Sequence, residues 1–206
     1  MLNRRVNLLF IVLISVILLS FSCGKKKKTV EPPPPTAEEL TKAGWAGFKD
    51  GNYDGAIDDL NSAIETDPNY SEAYCGLGWC YAMLSDDSLS VKNFEKCLSF
   101  TNPDSIALWA KAGLAFAYEA QKLYNQAIDK AKEVLTADSS WKFSHDTTCS
   151  ASDLHLLLAE CYFAVSEFDS SLAEVQILNP GFFVYVNTAE GRGALADEIE
   201  RLRGIV

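Results

Sequence analysis

The stretch Thr36-Ala-Glu-Glu-Leu-Thr-Lys-Ala-Gly44-Trp45, continued by Gly51-Asn-Tyr53-Asp-Gly-Ala56-Ile-Asp-Asp-Leu60, Ala63-Ile64 and Asp67-Pro68-Asn69-Tyr70, decides the fold. Thr36 and Glu39 have the spacing of a capping box, in which each residue satisfies a free amide at the start of a helix. Pro68 stands where a helix must stop. Between them lies room for two helices, each carrying a small residue, Gly44 and Ala56, that lets the pair approach closely.

The same pattern recurs down the chain, and a fixed period outranks other sequence signals. The first-helix small positions are Gly44, Gly78, Gly113 and Ala159, separated by 34, 35 and 46 residues. The second-helix small positions Ala56, Ser90, Ala127 and Ser171 are separated by 34, 37 and 44, with Leu60, Phe94, Ala131 and Val175 four residues further on. Pro103 and Pro180 mark the ends of later units, and Ser139 replaces the closing proline of the third. This spacing resembles the tetratricopeptide repeat, a helix-turn-helix unit of 34 residues. The resemblance implies an all-α, right-handed helical-hairpin solenoid of about four repeats over residues 37–180, at 37–70, 71–104, 105–140 and 152–180, with residues 141–151 as an inserted loop on one face. Residues 181–206 read as an extended segment, Phe182 to Val186, followed by a capping helix from Ala194 to Arg203.

In such a stack the first helix of each unit lines a concave face. Carried over residue by residue, the resemblance implies a groove of Thr41, Trp45, Phe48 and Lys49, then Cys75, Trp79, Ala82 and Met83. Ala110, Leu114, Ala117 and Tyr118 follow, then Leu156, Glu160 and Phe163. Family members that clamp an acidic C-terminus use lysine and asparagine where this chain has Thr41, Trp45, Cys75 and Trp79, so the expected partner is a protein or peptide with apolar or aromatic anchors. The other reading of these side chains is that they pack on neighbouring helices or on the chain's own C-terminal segment.

The N-terminus reads as an address. Arg4 and Arg5 precede an apolar run from Leu8 to Leu19 broken only by Ser15, short for a bilayer span and long enough for a signal sequence at residues 1–22. Leu19-Ser20-Phe21-Ser22-Cys23-Gly24 resembles the lipobox of bacterial lipoproteins, with Ser20 and Phe21 as departures, and implies a lipid on Cys23 that anchors the chain to a membrane of the cell envelope. An uncleaved apolar helix from Val6 to Cys23 is the competing reading. Lys25 to Lys28 and Pro32 to Pro35 then form an extended tether over residues 23–36.

Charge narrows the function. Residues 1–36 hold six basic groups and one acid, which leaves 12 basic and 27 acidic groups, net −15, on residues 37–206, so the body repels nucleic acid. Cys75, Cys80, Cys97, Cys149 and Cys161 include no two-residue spacing of a zinc site; three of them, Cys80, Cys97 and Cys161, fall where the repeat takes small buried residues. No phosphate loop, HExxH or GxSxG is present. The expectation is a non-enzymatic, cofactor-free scaffold. Two alternatives stay open, a metal or catalytic site built from His145, Asp146 and Cys149 in the inserted loop with His155 on the following helix, and a receptor for small molecules or glycans.

Overall fold

Helix caps set the boundaries. In the computed structural model, which describes residues 33–146 and 148–206, the Thr36 hydroxyl accepts from the Glu39 amide at 3.2 Å while Glu39 accepts from the Thr36 amide at 2.8 Å. That capping box opens α1, Ala37–Lys49. Asn52 opens α2, Tyr53–Thr66, by accepting the Gly55 amide. α3, Ser71–Met83, and α4, Asp87–Leu98, follow, the latter capped by Asp86. Pro103 stands at the N-cap of α5, Asp104–Ala120, whose 17 residues absorb the insertion before Tyr124. α6 is Tyr124–Ala137, and a second capping box, Ser150 with Asp153, opens α7, Ala151–Ala164. α8, Phe168–Leu178, and α9, Ala189–Arg203, complete the described chain. The stretch expected to be a signal sequence, the expected lipidation site Cys23 and the lysine run fall outside the described residues.

Successive helices pair as hairpins, α1 with α2, α3 with α4, α5 with α6 and α7 with α8, and the first helices also touch one another in the order α1, α3, α5, α7. This is the all-α hairpin solenoid, and its small positions work as the spacing implies. Leu60 of α2 seats in a notch between α1 and α3: a Cβ on Gly44 would lie 2.6 Å from Leu60 Cγ, and one on Gly76 would lie 2.9 Å from Leu60 Cδ2. Phe94 repeats the arrangement one unit on, with a Cβ on Gly78 at 2.5 Å and one on Gly113 at 2.1 Å from its ring. The second helices of the first two hairpins, α2 and α4, each drive a side chain into notches of two first helices, which is why those first helices carry glycines there. The turn inside each hairpin carries a positive-φ residue, Gly51 at 74°, then Ser85, Lys122 and Ser166 at 59°, 60° and 66°. Only the first of these is the residue type that adopts this conformation without strain.

The end of the chain is a cap. α9 starts at Ala189, five residues before the expected Ala194, because the Thr188 hydroxyl accepts the Gly191 amide at 3.0 Å. Gly191 is required there, since a Cβ would lie 1.9 Å from the Tyr185 carbonyl oxygen. Leu195, Ile199 and Leu202 bury against Leu156, Ala159 and Val175, so α9 covers the apolar face that the last hairpin would expose. Before it, Phe182, Val184 and Val186 pack into the same cluster, while Phe183 and Tyr185 are exposed.

The inserted loop departs from expectation. Rather than emerging from one face, residues 141–143 turn back onto the first helices. Phe143 N–H donates to Cys149 O at 2.9 Å and Ala151 N–H to Trp141 O at 2.8 Å, around a bridge between Lys142 and Ser150. The cause is the period-two alternation Trp141, Lys142, Phe143, Ser144, which is apolar on one side of an extended chain and polar on the other. Trp141 and Phe143 are buried and Lys142 and Ser144 exposed.

Candidate functional site

The wall built by α1, α3 and α5 presents indole rings, and the loop closes on them. Phe143 stacks on Trp79 with centroids 4.2 Å apart and 21° between planes, and its edges meet Trp45, Trp109 and Phe48 at 5.9, 6.0 and 6.1 Å. Phe143 is fully buried. The His145 ring lies on Trp45 at 3.8 Å and 4°, nearly parallel. Aromatic contacts of this kind contribute about 0.5–1.5 kcal/mol each beyond burial.

Most residues carried over as groove positions therefore lie under cover. Thr41, Trp45, Phe48, Cys75, Trp79, Ala110, Leu114, Ala117 and Leu156 are buried, Ala82, Tyr118, Glu160 and Phe163 half-buried, and Lys49 and Met83 exposed. The covering elements differ along the wall. The loop covers Trp45, Phe48 and Trp79, while α9 packs over Leu156 and pairs Arg203 with Glu160 at 2.8 Å. Tyr118 donates its hydroxyl to Glu95 at 3.1 Å, and Phe163 meets Phe168 edge-on. Trp109, Phe143 and His145 belong to the same ring cluster and were not among the expected wall residues. Trp109 immediately precedes Ala110, and the alternation in the loop was the readable signal for Phe143.

One part of the wall stays open. A cleft of about 440 Å³ lies beside α1, lined along that helix by Glu38, Thr41, Lys42, Trp45 and Lys49, and across from it by Tyr70, Glu72 and His145. Trp45 Nε1 donates to Glu72 Oε1 at 3.1 Å. Burial pushes the Glu72 carboxyl up, the Trp45 hydrogen bond opposes this, and the neighbouring Glu38 charge pushes in the same direction as burial. At the other end, burial pushes the His145 imidazole down to about 4 and Lys49 adds to the effect, so the ring is neutral at pH 7. Thr41 Oγ1 and both His145 nitrogens are buried with no hydrogen-bond partner.

The titratable groups of the loop and of the start of α7 go separate ways. His145 stacks on Trp45, Asp146 accepts from the Thr148 amide and hydroxyl at 3.0 and 2.6 Å, and His155 Nδ1 sits 2.7 Å from Glu174 Oε2. Among the described residues no three His, Cys, Asp or Glu side chains converge as a metal would need. Burial pushes the Cys80, Cys149 and Cys161 thiols up to about 12, so they are protonated and unreactive at neutral pH.

Fold and wall together define the class: a tetratricopeptide-like solenoid of helical hairpins. The model of the family described as TPR repeat matches residues 45–85, from mid-α1 to just past α3. A chain of the APC/C hetero-tetramer Cut9-Hcn1 superposes with a TM-score of 0.61 at 16% identity over 82% of this chain, and this chain spans 30% of that one. A MamA RS-1 double mutant gives 0.60 at 15% identity, covering 82% of this chain and 94% of its own. TTC0263, a thermophilic TPR protein in Thermus thermophilus, gives 0.54 at 19% identity, covering 81% and 82%. At these identities the likeness is one of fold.

Proposed function

We propose that this chain is a non-enzymatic lipoprotein scaffold of the bacterial cell envelope, tethered through Cys23, which holds a protein or peptide partner against the concave side of its solenoid. The observation that carries the reading is the wall itself. Trp45, Trp79 and Trp109 form a cage that receives an aromatic side chain, Phe143, and the cage continues into an open cleft along α1. Rigid aromatic rings around a cavity are what interface hot spots are made of. The acidic body keeps the scaffold soluble and away from nucleic acid. The buried, protonated thiols and the dispersed histidines supply no nucleophile–base pair, so the loop reading as a catalytic or metal site loses its support.

Two measurements test this. A photo-crosslinker at the exposed wall residue Met83 should capture a discrete protein in cells, and one at Lys132 on α6 should not; equal capture from both positions refutes the concave site. Cys23→Ser should move the protein out of the membrane fraction, and unchanged retention refutes the lipid anchor.

A further inference from the structure

We infer that the open cleft along α1 binds an extended peptide segment of the partner carrying a cation at one end and a carboxylate about five residues away. This rests on the partner-binding reading above and names the chemistry that the cleft selects.

The cleft is charged at both ends and with opposite sign. Glu38 and Glu72 lie close enough for each charge to act on the other, with the Tyr70 phenol beside them, while Lys49 stands against His145. Among the described residues neither Glu38, Glu72 nor Lys49 enters an ion pair, and Glu72 is half-buried. A half-buried carboxylate whose one direct partner is an indole N–H is short of a cation. Lys42 lines the rim one turn from Glu38 yet pairs with neither acid.

The spacing fixes the size of the ligand. Glu38 and Lys49 are eleven residues apart on one helix, about 16 Å along its axis. An extended peptide covers that distance in about five residues at roughly 3.3 Å each. A single small zwitterion cannot bridge it. Between the ends, Thr41 and Trp45 line the cleft.

The probe is a blocked hexapeptide with lysine first and aspartate last, titrated by calorimetry against the full chain in mild detergent. Its binding should be about threefold to tenfold tighter than that of the same peptide with two lysines, two aspartates or two neutral ends. Glu72→Gln keeps an acceptor for Trp45 and should lose the preference for the cationic end. Lys49→Glu, at an exposed position, should invert the other preference and make the di-lysine peptide the tighter ligand. Equal binding of all four peptides, no binding of any at millimolar concentration, or a Lys49→Glu variant that keeps the wild-type order overturns the inference. If Met83 still captures its partner in the Glu72→Gln/Lys49→Glu double variant while the titrations are flat, the cleft fails alone. If that capture is absent in the wild type, the scaffold reading fails.

Discussion

Replacing Gly113 by alanine tests the interlocking of neighbouring repeats most directly. The new Cβ would lie 2.1 Å from Phe94 Cζ and 2.5 and 2.7 Å from Cε2 and Cε1, all far inside contact distance. The ring cannot simply retreat, because Phe94 is fully buried and Gly78 of α3 closes its other side, where a Cβ would lie 2.5 Å away. Overpacking of this kind typically costs 1–3 kcal/mol, and so short an approach belongs near the upper end, about 3 kcal/mol. Alanine recovers about 1 kcal/mol of helix propensity, which leaves a net loss of about 2 kcal/mol and a fall in Tm of roughly 4–8 °C. The control is Gly193→Ala in the exposed middle of α9, where a Cβ meets nothing within 4 Å and only the propensity gain, about 0.5–1 kcal/mol, should remain. The assay is thermal unfolding followed by circular dichroism, with Phe94→Leu added to the Gly113→Ala background. The shorter side chain should make the double variant's loss smaller than the sum of the two single losses. A Gly113→Ala protein as stable as wild type, or strictly additive losses, would refute the interlock.

Other expectations rest on separate features. Phe143→Ala should cost about 3 kcal/mol, the low end for a buried phenylalanine because the loop can swing away instead of leaving a cavity, and should shift tryptophan emission to the red; unchanged emission counts against the docked loop. Lys122→Gly and Ser166→Gly should each add about 0.5–1 kcal/mol by relieving the left-handed backbone at the hairpin turns, read as a rise in Tm. His145 is held neutral when docked, with its folded value near 4 and the undocked value near 6.5. The undocked loop therefore takes up the proton first, so docking is unaffected above pH 7 and weakens by about 1–2 kcal/mol, allowing for partial exposure, as pH falls from 6.5 to 4. A His145→Phe variant should lose that dependence when tryptophan emission is followed against pH. The Glu198 carboxyl, hydrogen-bonded by Arg201 and Asn179 and held down to about 2, works at lower pH: the stability it adds is complete above its ordinary value near 4.5 and is lost toward pH 2, an acid limb that Glu198→Gln should flatten.

The hairpin architecture was readable because its geometry dictates residue size at fixed intervals. Gly44 and Gly76 must be small for Leu60, and Gly78 and Gly113 for Phe94, so packing writes itself into the sequence as a period. The capping pair Thr36 and Glu39 was legible for the same reason, being local. The cover over the wall was not. Phe143 meets Trp45 across 98 positions of chain, and no periodicity connects an insertion to a distant helix face. The start of α9 was hidden by Gly191 and Gly193, which lower helix propensity although Thr188 supplies the cap. The cleft was legible on one side only: Thr41, Trp45 and Lys49 follow from the repeat register, whereas Tyr70, Glu72 and His145 come from the neighbouring unit and the loop.

Stacked-repeat molecules usually unravel from their ends, since each unit holds only its neighbours. Here residues 141–146 act as a clasp, fastening the chain after the third hairpin back onto the first through Trp45 and Phe48. Opening the first hairpin then requires undoing a contact made after the third, so the two melt together. The clasp makes a non-local contact, joining positions about a hundred residues apart in a stack whose other contacts run between neighbouring units.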